Sequence, residues 1–98
     1  ERFTKSYVRG KFHIKKWGKR RIVNELKQRD ISNFNINIAL KEIDENVYLE
    51  TLDRLCKKRI TAVKEQNIQK KRKKVADYLL YRGWESHLVY EKITSLIK

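Results

Sequence analysis

The chain has 98 residues, 25 of them Lys or Arg and 12 Asp or Glu, which gives a formal net charge of +13. This length allows one domain or two small repeats with a thin core, and a field of this sign attracts polyanions such as nucleic acid or a nucleoprotein. The sequence has no apolar run near the roughly 18 residues of a membrane span, no signal peptide, and one cysteine, Cys56, which excludes an internal disulfide and predicts a buried thiol in the cytoplasm.

The first half predicts three helices. Aromatic and apolar residues at i, i+4 indicate a first helix over about 2–14, which the segment 15–18 interrupts before a second helix over about 19–29. Ser32 is a predicted N-cap for a third helix, whose apolar positions are Ile36, Ala39, Leu40 and Ile43. Residues 34–38 also alternate as a strand would, but no partner strand is nearby.

The second half predicts three more helices. A long helix over about 47–66 has a buried stripe at near-heptad spacing, made of Leu49, Leu52, Cys56, Ile60 and Val63. The basic run Lys70–Lys74 leads into a helix containing Val75 and Leu79, and a last helix carries Leu88, Val89, Ile93, Leu96 and Ile97. The predicted loops lie near residues 15–18, 30–33, 44–46, 66–69 and 83–86.

The same segment occurs twice, 53 residues apart. Residues 19–32 align without a gap with residues 72–85, and the matched pairs are Ile22 with Val75, Leu26 with Leu79, Arg29 with Arg82, Ile31 with Trp84, Ile36 with Val89 and Leu40 with Ile93. A repeat of this kind presents a repeated surface to a large, often periodic partner, rather than one asymmetric catalytic site. We therefore expect an all-α protein of two tandem three-helix repeats, 1–44 and 45–98, which form a curved, elongated helical array of six helices.

The order and spacing of several segments resemble the RecX family. The segments are Tyr7-Val8-Arg9, Lys16 to Ile22, Glu25 to Ile31, Ala39-Leu40, and Leu79-Leu80-Tyr81-Arg82-Gly83-Trp84. RecX proteins consist of three tandem three-helix repeats, so the resemblance implies the second and third repeats, and the absence of any Met suggests a part excised from a longer protein. Asp30 stands where the family turn commonly carries glycine, and a short polar side chain tolerates positive φ there.

What the resemblance implies is a non-enzymatic regulator of the RecA recombinase. Such a protein binds RecA and the groove of the RecA–DNA filament and most often inhibits its recombinase, ATPase and coprotease activities, and thereby homologous recombination, DNA repair and the SOS response. The expected partners are RecA and single- or double-stranded DNA, with the protein itself a monomer and no cofactor. The alternative hypothesis is a stand-alone helix-turn-helix transcription regulator, although the candidate recognition helices 34–43 and 86–97 are poor in arginine.

The candidate RecA- or DNA-binding residues form two basic clusters. The first cluster consists of Lys15, Lys16, Lys19, Arg20 and Arg21, the second of Lys70, Lys71, Arg72, Lys73 and Lys74, and Arg9 completes the set. Each cluster is predicted to precede the middle helix of its repeat, so that the two occupy related places. A cation at a helix N-terminus opposes the macrodipole, which favours a functional interpretation over a merely solvated helix start.

Several other residues have structural interpretations. Arg29 and Arg82 are predicted helix C-caps, and Trp17 and Trp84 are predicted to fill helix interfaces rather than stack on bases. The tyrosines 48, 78, 81 and 90 are too scattered for a stacking platform.

Catalytic chemistry and metal binding are not expected from this sequence. His13 and His87 are distant from each other and lack metal-ligand spacing, no glycine-rich phosphate loop occurs, and the acidic residues Glu42, Asp44 and Glu45 fit a helix end followed by a helix start better than a Mg²⁺ site.

Overall fold

The helices follow one another in two groups of three. A computed structural model describes residues 2–98, and within this range there are six α-helices and no strand. They are α1 Arg2–His13, α2 Lys19–Gln28, α3 Asn33–Leu40, α4 Glu45–Ala62, α5 Ile68–Tyr81 and α6 Ser86–Leu96. The all-α prediction is confirmed.

Each group of three helices packs as a unit. Helices α1, α2 and α3 all contact one another, as do α4, α5 and α6, whereas in residues 2–98 no helix backbone of one group packs against a helix backbone of the other. We call these groups the first and second unit. The Cα radius of gyration is 14.6 Å and the extents are 47 × 24 × 20 Å. A compact chain of this length would have a radius of about 13 Å, so the predicted elongation is confirmed.

Local sequence explains where three of the six described helices begin. The Ser32 hydroxyl accepts a hydrogen bond from the Asn35 amide, as its predicted role as N-cap of α3 requires, and the Asp44 carboxylate accepts from the Val47 amide at the start of α4. Asn67 caps α5 in the same way by accepting from the Lys70 amide. Because of this cap, α5 begins at Ile68.

Three boundary predictions were wrong. Helix α4 begins at Glu45 and ends at Ala62, not near Gln66, since Val63 has extended backbone angles (φ −81°, ψ 118°). Ile43 was placed in the third helix, yet α3 ends at Leu40 and Ile43 is buried just beyond it. The basic run Lys70–Lys74 does not precede its helix but lies inside α5.

The turn that follows the middle helix has the same backbone conformation in both units. Asp30 has φ of 61° and its equivalent Gly83, 53 residues later, has φ of 94°. The expectation that Asp30 tolerates a positive φ is confirmed. At Gly83 there is an additional reason for glycine, because a β-carbon there would overlap the backbone and side chain of Arg21 in the other unit.

The two units meet through their loops. The Gly18 amide donates to the Arg82 carbonyl oxygen (2.9 Å), and the Arg20 amide donates to the Gly83 carbonyl oxygen (3.0 Å). The Trp84 indole N–H donates to the Lys16 carbonyl oxygen at 3.2 Å. We call this contact between residues 15–21 and 82–85 the joint, and the side chains of Phe12 and Tyr48 that pack on Trp84 belong to it. In the joint, the backbone of one unit lies directly against the backbone of the other.

The joint leads to a first testable prediction, which compares two Gly→Ala variants. A β-carbon on Gly18 would overlap the Gly83 carbonyl and the Trp84 amide, whereas one on Gly10, inside α1, would have no neighbour within 4 Å. We expect Gly18→Ala to lower the free energy of unfolding by about 1–3 kcal/mol because the units must separate to admit the methyl group. Gly10→Ala should raise it by about 0.5–1 kcal/mol, since alanine favours the helix.

Urea denaturation of both variants, followed by circular dichroism, measures these changes. Equal effects of the two substitutions would contradict a tight joint at Gly18.

Candidate functional site

The first basic cluster lies at the joint, partly in the loop before α2 and partly in its first turn. The Lys15 carbonyl oxygen accepts a hydrogen bond from the Arg82 guanidinium at 3.1 Å, and the Lys16 carbonyl accepts from Trp84, so the backbone of this loop is held by the second unit. Lys16 adopts a positive φ of 59°. The ammonium groups of both residues have no ion-pair partner in residues 2–98.

Lys19 has a structural role. Its amide donates to the Tyr48 hydroxyl at 2.8 Å. Its Nζ lies 3.1 Å from the Glu45 carboxylate and 4.4 Å from the centroid of the Tyr48 ring. The positive charge of Lys19 is therefore largely balanced inside the protein.

Arg20 and Arg21 border an open cleft between the units. The cleft has a volume of about 590 Å³, and its other polar lining residues are Asn24, Glu25, Gln28 and Ser86. The Arg21 guanidinium lies 4.1 Å from the Trp17 ring centroid and 5.3 Å from the Tyr81 ring centroid. Arg20 is exposed, and within residues 2–98 its side chain has no ion-pair partner.

Because the second basic cluster is helical, its side chains spread around α5. Arg72 donates to the Ile97 carbonyl oxygen at 2.8 Å, Lys73 pairs with Asp77 at 3.0 Å, and Lys74 pairs with Glu65 at 2.9 Å. The hydrogen bond from Lys74 lowers the pKa of the Glu65 carboxyl. Lys70 and Lys71 have no ion-pair partner in the range the structure describes.

Arg9 is separate from both clusters. Its guanidinium donates to the Glu42 carboxylate at 2.7 Å and to the Ser6 hydroxyl at 3.3 Å, which ties α1 to the end of α3. Its role as a binding residue stays a prediction.

The two clusters occupy related places only in part. Lys19, Arg20 and Arg21 in α2 are the repeat equivalents, 53 residues earlier, of Arg72, Lys73 and Lys74 in α5, whereas Lys15 and Lys16 precede their helix and Lys70 and Lys71 do not. The first cluster straddles a loop and the start of α2, while the second lies within the first two turns of α5. The clusters are also connected along α5, because the C-terminal end of this helix places Tyr81 against Arg21. Lys70 and Lys74 share the face of α5 that carries Tyr81, since their spacings of 4 and 7 residues are helical repeats.

Tyr81 is a candidate that sequence reasoning left out. Its side chain is 78% exposed beside the cleft. Of the other tyrosines named above, Tyr48 is buried and Tyr78 lies within 5.2 Å of the guanidinium groups of Arg59 and Arg82. Tyr90 on α6 is 52% exposed but does not line the cleft. The sequence feature that could have identified Tyr81 is its spacing of seven residues from Lys74 and eleven from Lys70. This spacing places the three residues on one face only if a single helix includes them all, as α5 does.

The structural interpretations of the two tryptophans and the paired arginines are largely confirmed. Trp84 is fully buried and stacks on Tyr48 with ring centroids 4.5 Å apart, and Trp17 is half-buried against the core. Arg29 and Arg82 are the C-cap residues of α2 and α5. Arg82 does more than cap its helix, because its guanidinium reaches the Lys15 carbonyl across the joint.

The remaining titratable residues have local roles. His13 and His87 are exposed, and Cys56 is fully buried, which raises the pKa of its thiol. Asp44 caps α4, while Glu42 and Glu45 pair with Arg9 and Lys19. Among residues 2–98 no three His, Cys, Asp or Glu side chains are grouped so that they could hold a metal ion. Within the same range, no helix is long and apolar enough to cross a membrane.

Comparison with known proteins gives matches along both units. Residues 1–40 match the model of the second three-helix domain of RecX, and residues 46–93 match the model of the third. A protein named Regulatory protein RecX from Clostridioides difficile (strain 630) is 29% identical over 85 residues, which cover 87% of this chain and 40% of that relative. The chain thus spans well under half of the relative's length. No solved structure matches the chain.

A second prediction concerns Tyr48, whose hydroxyl accepts from the Lys19 amide and donates to the Glu85 carboxylate. Tyr48→Phe removes the hydroxyl, so the Lys19 amide and the Glu85 carboxylate at the joint lose the hydrogen bonds that it makes. We expect the free energy of unfolding to fall by about 1–3 kcal/mol at pH 7. Urea denaturation measures it, and a change below about 0.3 kcal/mol would show that the bridge contributes nothing.

Tyr48→Phe also tests how the free energy of unfolding depends on pH. Burial, and then the hydrogen bond to Glu85, raise the pKa of Tyr48 well above its ordinary value of 10.0. The unfolded chain ionises this phenol above pH 10 while the folded chain keeps it neutral, so the stabilisation is complete below pH 10 and is lost as the pH rises. Between pH 8 and 11 the free energy of unfolding of the wild type should fall by about 1.4 kcal/mol more than that of Tyr48→Phe. Parallel losses in the two proteins would contradict the assignment.

Proposed function

The chain belongs to the RecX family, and from this membership we propose that it binds RecA and the RecA–DNA filament and inhibits the recombinase, ATPase and coprotease activities of RecA. The proposal places the protein in the cytoplasm as a monomer that limits homologous recombination, DNA repair and the SOS response. DNA is contacted through the basic clusters. The whole activity belongs to the full-length protein, of which these two units form one part.

The observation that carries this proposal is the distribution of unpaired cations over an elongated body of two units. Lys15, Lys16, Arg20, Lys70 and Lys71 have no ion-pair partner in residues 2–98. The other five cluster residues are held by acidic groups, a carbonyl oxygen or aromatic rings. Unpaired cations on an elongated protein with a net charge of +13 favour a long polyanionic partner. A nucleoprotein filament offers such a surface along its length.

The test uses a pair of charge-reversal variants in the full-length protein. Arg20→Glu with Lys70→Glu removes one unpaired cation from each cluster. Lys41→Glu with Lys58→Glu reverses two exposed lysines outside the clusters. Each reversal changes the charge by two units, so both variants carry four units less positive charge than the wild type. The measurement is DNA-dependent ATP hydrolysis by RecA from the same organism.

We expect the wild type to inhibit RecA at less than one molecule per RecA. The cluster variant should require about tenfold more protein for half-inhibition, because loss of attraction at two exposed contacts costs on the order of 1–2 kcal/mol. The control variant should behave like the wild type. Equal weakening in both variants would mean that only net charge matters. Unchanged RecA turnover together with salt-sensitive binding to duplex DNA would favour the helix-turn-helix regulator.

A further inference from the structure

A continuous exposed stripe runs along α5. Lys70, Lys74, Asp77 and Tyr81 are separated by four, three and four residues, so they lie on one face of the helix, and all four are exposed. At 1.5 Å per residue the stripe is about 17 Å long. Asp77 is paired with Lys73 at 3.0 Å and Lys74 with Glu65 at 2.9 Å, so the unpaired positive charge of the stripe is that of Lys70.

The C-terminal end of the stripe continues into the first unit. Tyr81 lies beside Arg21, and Arg21 lies over Trp17. Lys11 lies 4.8 Å from the Trp17 ring centroid and 5.3 Å from that of Tyr7, so cations and aromatic rings alternate along this side of the molecule. The end of the row at the cleft is the Tyr81 ring.

Tyr81 differs from the other rings of the row because most of its side chain faces solvent. It is 78% exposed, while Tyr7 and Trp17 are half-buried. An exposed ring between a cationic stripe and a cleft with amide side chains suits a planar partner that is attached to a polyanion. A base of a single-stranded nucleic acid has both properties, since stacking on an aromatic ring accommodates any base while cations follow the backbone.

Other partners would contact the cations of this surface but not the exposed Tyr81 ring. The bases of a duplex are already stacked and would leave the Tyr81 ring uncovered. An acidic protein surface would pair with the lysines and arginines, but it does not require an exposed ring beside them. The cleft volume of about 590 Å³ lies in the range of sites that hold small molecules or single groups of a polymer.

We infer that the α5 stripe and the cleft bind single-stranded nucleic acid, with the phosphates at Lys70 and Arg20 and one base stacked on Tyr81. This inference rests on the proposed function, which brings the protein to DNA, and it names the strand type and the residue that contacts a base. Tyr81 is therefore a binding residue, and Arg21 positions its ring.

The experiment measures direct binding of the full-length protein to a fluorescent 12-nucleotide oligothymidine, without RecA, by fluorescence anisotropy at fixed salt. A second oligonucleotide has the same backbone with abasic sites. Tyr81→Ala should weaken binding to oligothymidine about tenfold, which corresponds to about 1.4 kcal/mol, and leave binding to the abasic strand unchanged. Tyr81→Phe should restore the wild-type affinity because it keeps the ring.

Two variants serve as controls. Phe34 is a comparably exposed aromatic residue, at 72%, and lies on α3 outside the cleft, so Phe34→Ala should bind both strands as the wild type does. Arg20→Gln with Lys70→Gln should weaken binding to both strands alike, and should reduce the slope of log affinity against log salt concentration by about 0.7 per lost phosphate contact.

The outcomes separate this inference from the proposed function. Equal effects of Tyr81→Ala on the two strands, or no effect on either, would overturn base stacking. Inhibition of RecA without any binding to the oligonucleotides would also overturn the inference, because the stripe would then face a protein, and the proposed function would stand. A base-dependent effect of Tyr81→Ala in a protein that leaves RecA unaffected would support the inference and refute the proposed function.

Discussion

The first turn of α2 is completed by the other unit, and the arrangement of the molecule depends on this fact. The N-cap residue is Gly18, which has no side chain to accept a hydrogen bond from the amides that a helix start leaves unpaired. The Tyr48 hydroxyl accepts from the Lys19 amide, and the Gly83 carbonyl oxygen accepts from the Arg20 amide. Because both acceptors belong to the second unit, the units cannot separate without exposing these amides.

The aromatic rings at the joint exclude water from these hydrogen bonds. Trp84 and Tyr48 are fully buried and Phe12 nearly so, and the rings of Phe12 and Tyr48 have centroids 5.7 Å apart. Buried polar groups stabilise only when they are paired, and the Tyr48 hydroxyl is paired on both sides by Lys19 and Glu85. The apolar rings and the hydrogen bonds therefore support each other, and the two small cores act as one.

Features that follow from helical periodicity could be predicted from the sequence, whereas contacts between residues far apart in the chain could not. The apolar positions 22, 26, 36, 75, 79 and 89 are all buried, and the Ser32 cap and the Asp30 turn follow from residue type. The joint was not predictable, because a backbone hydrogen bond between Gly18 and Arg82 has no signature in side-chain chemistry. The start of α5 was predictable in principle from Asn67, a favourable N-cap, but the run of five cations masked it.

The candidate binding residues at the start of α2 differ in whether contacts within the protein compensate their charge. Cations near a helix N-terminus oppose the macrodipole, so each requires compensation or another reason for its position. Lys19 is compensated by Glu45, and Arg21 lies between two aromatic rings. Arg20 has no such contact in residues 2–98, although its own amide is part of the joint. Local stability accounts for Lys19 and Arg21 but not for the side chain of Arg20, for which the proposed contact with an external anion would be a reason.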